Sequence, residues 1–110
     1  MNDIDRIVHE PIRLRIMSIL SGIDRADFNF MLSTLGLSKG NLSSHVDKLE
    51  QAGYVSVEKS FKGKVTCTEY SLTKAGKKAL ANYWTTLEQI REEANSNAAV
   101  KLKKAETARH

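Results

Sequence analysis

The side chains of this sequence that could do chemistry gather in two places. One is Leu37 to Tyr54, LSKGNLSSHVDKLEQAGY, and the other is Lys59 to Lys64, KSFKGK. In the first, Ser38, Lys39, Asn41, Ser44, His45 and Lys48 offer hydroxyl, amide, imidazole and ammonium groups; in the second, Lys59, Lys62 and Lys64 surround Gly63. This is the chemistry of recognition rather than of bond making. Hydroxyls and amides match base edges, and ammonium groups match phosphate oxygens. Asparagine can hold adenine through two hydrogen bonds, which discriminates by about 1 to 3 kcal/mol.

Each of these residues also has an ordinary structural use. A polar helix face is most often simply solvated, Asn41 serves either a base or the first turn of its own helix, and His45 either faces outward or packs at the rim of the core. Lys48 suits a phosphate better than a base. Lysines near a hairpin tip guard a sheet edge against aggregation whether or not they bind anything.

The first stretch must be a helix to present these groups together. Leu42, Val46 and Leu49 recur at steps of three and four, with Ala52 behind them, the signature of a single buried stripe. At about 100° per residue, Asn41, Ser44 and Lys48 fall opposite that stripe, with Lys39 and His45 on its flanks. Ser38 is placed to cap the helix and Gly53 to end it in a left-handed conformation. Gly40, on the exposed side, would let a backbone approach closely. The second stretch must be a hairpin. Val55 and Val57 alternate with polar residues, Phe61 to Lys64 supplies the turn, and Val65 to Leu72 returns with Thr66, Thr68, Tyr70 and Leu72 on one face.

The remaining chain supplies support. Ile4, Ile7 and Val8 form a short apolar lead-in, helical on this reading. Pro11 opens a core helix, with Ile12, Ile16, Ile19 and Leu20 on one face, that continues to Gly22. Arg13 and Arg15 read as solvated or paired. Asp24 to Asp27 is a polar connection, Asp27 caps a second helix bearing Phe28, Met31, Leu32 and Leu35, and Gly36-Leu37 turns tightly into Ser38. Two short helices joined in this way form a helix-turn-helix pattern. Thr73 caps a long final helix to about Ala94, in which Leu80, Tyr83, Trp84, Leu87 and Ile90 form a seam. Its outer half is assigned to pairing with a second copy of the chain; the competing reading packs it wholly on its own domain. Residues 95–110 read as a frayed or flexible tail, with Lys101, Lys103 and Lys104 adding charge.

At 110 residues the chain is most simply one domain, residues 1–94 plus the tail, mainly α with a β-hairpin. Its net charge of +4 is unevenly distributed: residues 38–78 hold eight basic groups against four acidic ones, while residues 1–37 are net negative. The excess lies where a polyanion would sit. The sequence holds neither a run of membrane-spanning length nor a signal-peptide layout, so a cytoplasmic location is expected. His9, His45 and His110 lie in separate segments, and Cys67 is the only cysteine, so no metal or cofactor is expected. Cys67 itself is either an inert strand thiol or a redox sensor. No phosphate-cradling loop, nucleophile elbow or placed pair of acids suggests an enzyme.

Taken together, HEPIRLRIMSIL, LGLSKGNLSSHVDKLEQAGYV and SFKGKVTCTEYSLTKAGKKAL, followed by the final helix, resemble the winged helix-turn-helix transcriptional regulators of the MarR and ArsR kind. The resemblance covers about residues 9 to 92. It implies a homodimer on double-stranded DNA, with one recognition helix per half-site and a wing reaching the flanking minor groove or backbone. On that resemblance, Ser38, Lys39, Asn41, Ser44, His45 and Lys48 match the groove-facing positions, and Lys62, Gly63 and Lys64 match the wing tip. Related wings often carry arginine and a Pro-Arg-Thr run, where this chain has lysines and Thr66-Cys67-Thr68; lysine favours diffuse phosphate contact. A module of the same fold that docks a protein instead of DNA is the alternative, and sequence does not name an effector.

Overall fold

The computed structural model describes residues 3–108, and side chains as far as Lys103; the side chain of Lys104 and all of His110 fall outside that description. The element order is α1 (Pro11–Gly22), β1 (Ala26–Asp27), α2 (Phe28–Leu35), α3 (Lys39–Gln51), β2 (Val55–Lys62), β3 (Val65–Leu72) and α4 (Lys74–Ala108). The sheet is antiparallel, in the order β1-β3-β2.

Each helix boundary has a local cause. Glu10 caps α1 by accepting from the backbone N–H of Arg13 at 2.7 Å, with Pro11 in the first turn, where its missing N–H costs nothing. Asp27 caps α2 through the N–H of Phe30, and Gly36, at φ 65°, ends it. Ser38 caps α3 through the N–H of Asn41 at 3.2 Å. That helix ends in a Schellman motif: Gly53, at φ 80°, donates to Glu50, and Tyr54 donates to Leu49.

One core joins all the elements. Ile16, Met17 and Leu20 of α1, Met31 of α2, and Leu42, Val46 and Leu49 of α3 are at most 2% exposed, and they pack with Val55, Tyr70, Leu72, Leu80 and Tyr83. The apolar faces expected of α1, α2 and α3 are therefore the buried ones. The lead-in, by contrast, is a turn rather than a helix. Asp5 holds it by accepting from the N–H of Ile7 at 2.9 Å while its other oxygen accepts from the Tyr54 hydroxyl at 2.5 Å, so that Val8 becomes fully buried.

Three further features differ from the sequence expectation. Ala26 and Asp27 pair with Tyr70 and Glu69, adding a third strand to the expected hairpin. Arg13 is neither solvated nor ion-paired at the surface: it is 9% exposed, and its guanidinium donates to the carbonyl of Ile7 at 2.7 Å and reaches that of Arg6 at 3.4 Å. The last helix does not stop near Ala94 but continues to Ala108, 35 residues in all, or about 52 Å. Its first turns bury Ala79, Leu80, Tyr83 and Thr86, whereas every side chain from Glu88 to Lys103 is exposed. Among the described residues, no helix is long and apolar enough to cross a membrane.

Candidate nucleic-acid interface

Burying Leu42, Val46 and Leu49 fixes the rotation of α3. Ser38, Lys39, Gly40, Asn41, Ser44 and Lys48 are consequently all exposed. The α2–α3 turn holds the start of this face rigid, because Gly36 supplies the left-handed residue and Leu37 is half-buried against the core. The Ser38 oxygen accepts the N–H of Asn41 as the cap, which uses one lone pair and leaves its O–H free to donate to a ligand.

His45 is less exposed than the rest of this face. Its side chain is 17% exposed, with Nδ1 3.6 Å from a Glu10 carboxylate oxygen and 3.4 Å from the Arg13 guanidinium. It sits at the rim between α3 and α1, so of its two sequence readings the structure favours packing. Burial pushes the Glu10 carboxyl up, but hydrogen bonds from the N–H groups of Arg13 and Ile12, aided by the His45 and Arg13 charges, outweigh it and hold the group below its ordinary value. This cluster ties α3 to α1 and positions the exposed face.

The second flank of α3 carries Asp47, a residue sequence reasoning did not single out. Asp47 is exposed and lies close enough to Tyr70 to raise that phenol, although burial is the larger cause. A carboxylate on this face repels phosphate, yet it can accept from the amino group of cytosine.

The hairpin forms with Lys62 opposite Val65, leaving Gly63 and Lys64 as a two-residue loop. Gly63 has φ 65°, and among the described residues only glycines have positive φ, the pattern of a type II′ turn, whose twist suits a hairpin. Lys62, Gly63 and Lys64 thus occupy the tip, all exposed. Glu58, the acidic residue lower on the ribbon, is engaged by Arg25 at 2.7 Å, so the tip itself is cationic. The same tip exposes two apolar residues, Phe61 and Val65. Their place in a lysine-rich turn concealed them, since the sequence reads there as turn and charge.

The expected seam of α4 divides. Leu80 and Tyr83 are 6% and 4% exposed, with the Tyr83 hydroxyl 2.9 Å from His9 Nδ1, so this chain's own core occupies them. Leu87 is half-buried, while Trp84 and Ile90 are 48% and 41% exposed. Cys67 is a half-buried free thiol.

A family model for the winged helix DNA-binding domain matches residues 12–91. An uncharacterized protein of Methanocaldococcus jannaschii is 37% identical over 79 residues, spanning 71% of this chain and 85% of its own length. Among solved structures, the transcriptional regulator homologue from Pyrococcus horikoshii OT3 superposes with a TM-score of 0.75 at 28% identity, covering 82% of this chain and 89% of that one. PadR of Bacillus subtilis, solved in complex with operator DNA, is alike in fold alone, with a TM-score of 0.60 at 19% identity over 68% of this chain and 47% of its own.

Proposed function

Since the chain belongs to the winged helix DNA-binding domain family, we propose that it is a transcriptional regulator that binds specific duplex sites as a homodimer. Its α3 enters the major groove, where Asn41 and Ser44 contact base edges and Ser38, Lys39 and Lys48 contact the backbone. Lys62 and Lys64, carried by the turn at Gly63, lie along the adjacent phosphates. His45 acts indirectly, by holding α3 against α1.

The observation that carries this reading is the division of one helix into two faces. Leu42, Val46 and Leu49 are sealed, while amide, hydroxyl and ammonium groups stand outward beside a cationic hairpin. Protein–DNA interfaces draw position and most of their salt-dependent affinity from phosphate contacts, and their specificity from base edges. The likeness to the Pyrococcus horikoshii transcriptional regulator homologue supports the same reading.

The homodimer is supported by α4. From Glu88 to Lys103 the helix leaves its own core, and a lone helix of that length is only marginally stable in water. Trp84, the outer side of Leu87 and Ile90 begin a stripe that a second copy would cover. Pairing two copies gives two reading helices related by a two-fold axis, as a pseudo-palindromic site requires.

Selection of bound duplexes from a random pool tests the proposal. The expected result is enrichment of a site with two inverted half-sites about 10 base pairs apart, or a multiple of that spacing. Recovery of unenriched duplex at every salt concentration would overturn sequence-specific binding.

A further inference from the structure

The wing tip carries apolar surface that the fold does not use. Phe61 is 75% exposed and Val65 is 65% exposed, and neither packs against the core. The register separates them: Phe61 lies opposite Thr66 on the face that continues Val55, Val57 and Lys59, while Val65 lies opposite Lys62 on the other face. An exposed aromatic near the end of an edge strand invites aggregation unless something offsets it or uses it. Here Lys59 shares its face of the ribbon, Lys62 stands on the other face beside it, and Lys64 lies in the loop, and the nearby carboxylate of Glu58 is held by Arg25.

Apolar groups at the end of a thin cationic ribbon suit the minor groove. Its walls are deoxyribose, its rims are phosphate, and its floor opens onto the stacked base steps. The groove is only about 6 Å wide, so a hairpin tip enters it by opening it. Many proteins that bind there drive an apolar side chain between base pairs, and the resulting kink bends the duplex away from the protein.

We infer that Phe61 is such a wedge: the wing inserts it into the minor groove flanking the site of α3, where it partly unstacks one base step and bends the duplex, with Val65 against the sugar wall. This rests on the reading of the chain as a DNA-binding regulator and adds to it a second source of sequence preference. Pyrimidine–purine steps unstack most readily, so the wedge selects such a step at a fixed distance from each half-site, without a hydrogen bond to any base. The lysines hold the tip in place and discriminate nothing.

The test uses the full chain and the duplex recovered by selection, with 2-aminopurine substituted in turn at the flanking steps. Wild-type protein should raise the emission at one step on each side, and permuted fragments should show a bend of about 20–90°. Phe61→Ala should abolish the emission change, reduce the bend and weaken binding about tenfold, with its salt slope and thermal midpoint unchanged. Phe61→Leu, which keeps an apolar wedge, should retain most of the bend. Emission, bend and affinity identical in wild type and Phe61→Ala would overturn the wedge while leaving DNA binding intact. A wild-type protein that captured no duplex would overturn the regulator reading and the wedge together.

Discussion

Gly76, in the first turn of α4, lies so close to the carbonyl oxygen of Tyr54 that a Cβ at this position would fall inside the oxygen's contact distance, and 2.9 Å from Leu72 Cδ1. The approach belongs to a junction that fixes the end of α3 against the start of α4. Thr73 donates from its backbone N–H to Tyr54 at 3.0 Å and from its hydroxyl to the carbonyl of Gly53 at 2.6 Å, and that hydroxyl accepts from the N–H of Gly76 at 2.9 Å. A single threonine therefore caps one helix and grips the exit of another. The angle between α3, the helix proposed to read DNA, and α4, the helix proposed to pair, is set here by backbone contact that no side-chain rearrangement can relax.

Gly76→Ala should accordingly destabilise the fold by about 3 kcal/mol, because the obstruction is backbone rather than a flexible side chain. Gly40→Ala provides the control, since nothing lies within 4 Å of a Cβ there, and it should stabilise by about 0.5 kcal/mol. Urea denaturation of the two variants distinguishes them by opposite shifts of the midpoint.

The Tyr54–Asp5 hydrogen bond gives stability an alkaline limit. Donation to the Asp5 carboxylate, then burial and the carboxylate charge, push the Tyr54 phenol from 10.0 up to about 12. The folded state thus holds this proton more tightly than the unfolded chain. The contribution is fully present below pH 10 and is lost as pH rises from there through 12. Tyr54→Phe should cost about 1 kcal/mol at neutral pH and should flatten the fall in stability across that alkaline window. Chemical denaturation across the same window, begun about two units below it, measures both.

Much of this architecture was legible in the sequence because the signals were periodic. Leu42, Val46 and Leu49 gave the rotation of α3, Ser38 and Gly53 its ends, and Thr73 the start of α4, and each stands where those signals put it. What escaped depends on contacts between distant segments. Ala26 and Asp27 make too short a strand to alternate, and they pair only because Tyr70 and Glu69 lie beside them. Arg13 is buried because the carbonyls of Ile7 and Arg6 accept from it, and the non-helical turn that presents them just before α1 is invisible to helical periodicity. His45 could face either way, and Glu10 and Arg13 draw it inward. In the seam, Leu80 and Tyr83 could not be told from Trp84 and Ile90, because buried and exposed apolar positions follow the same spacing.

The two kinds of DNA contact should separate under mutation. Replacing Asn41 or Ser44 by alanine is expected to cost about 1 to 3 kcal/mol on the selected site and little on unrelated duplex, relaxing preference at one position of each half-site. Replacing Lys62 or Lys64 should weaken all duplexes alike and lower the salt slope by about 0.9 for each phosphate that is no longer neutralised. Fluorescence anisotropy on both duplexes at several salt concentrations resolves the two. A lysine variant with the wild-type slope would remove the wing from the backbone.

Pairing through α4 should fail when its exposed stripe is charged. Trp84 and Ile90 are about half exposed in the protomer, so Trp84→Glu and Ile90→Glu should leave the fold intact. Sedimentation equilibrium should then report a monomer where the wild type is a dimer, and affinity for the two-half-site duplex should fall towards that for a single half-site. A variant that remained dimeric would move the interface to another face.

The central claim, that the outward face of α3 and the adjoining wing form the DNA surface, is tested most directly by amide NMR. The selected duplex would be titrated into uniformly labelled protein. The amide shifts should concentrate at residues 38–48 and 59–65, with residues 11–22 nearly still. Perturbations centred on α1 or the middle of α4, with Asn41, Ser44 and Lys62 to Lys64 unmoved, would contradict it.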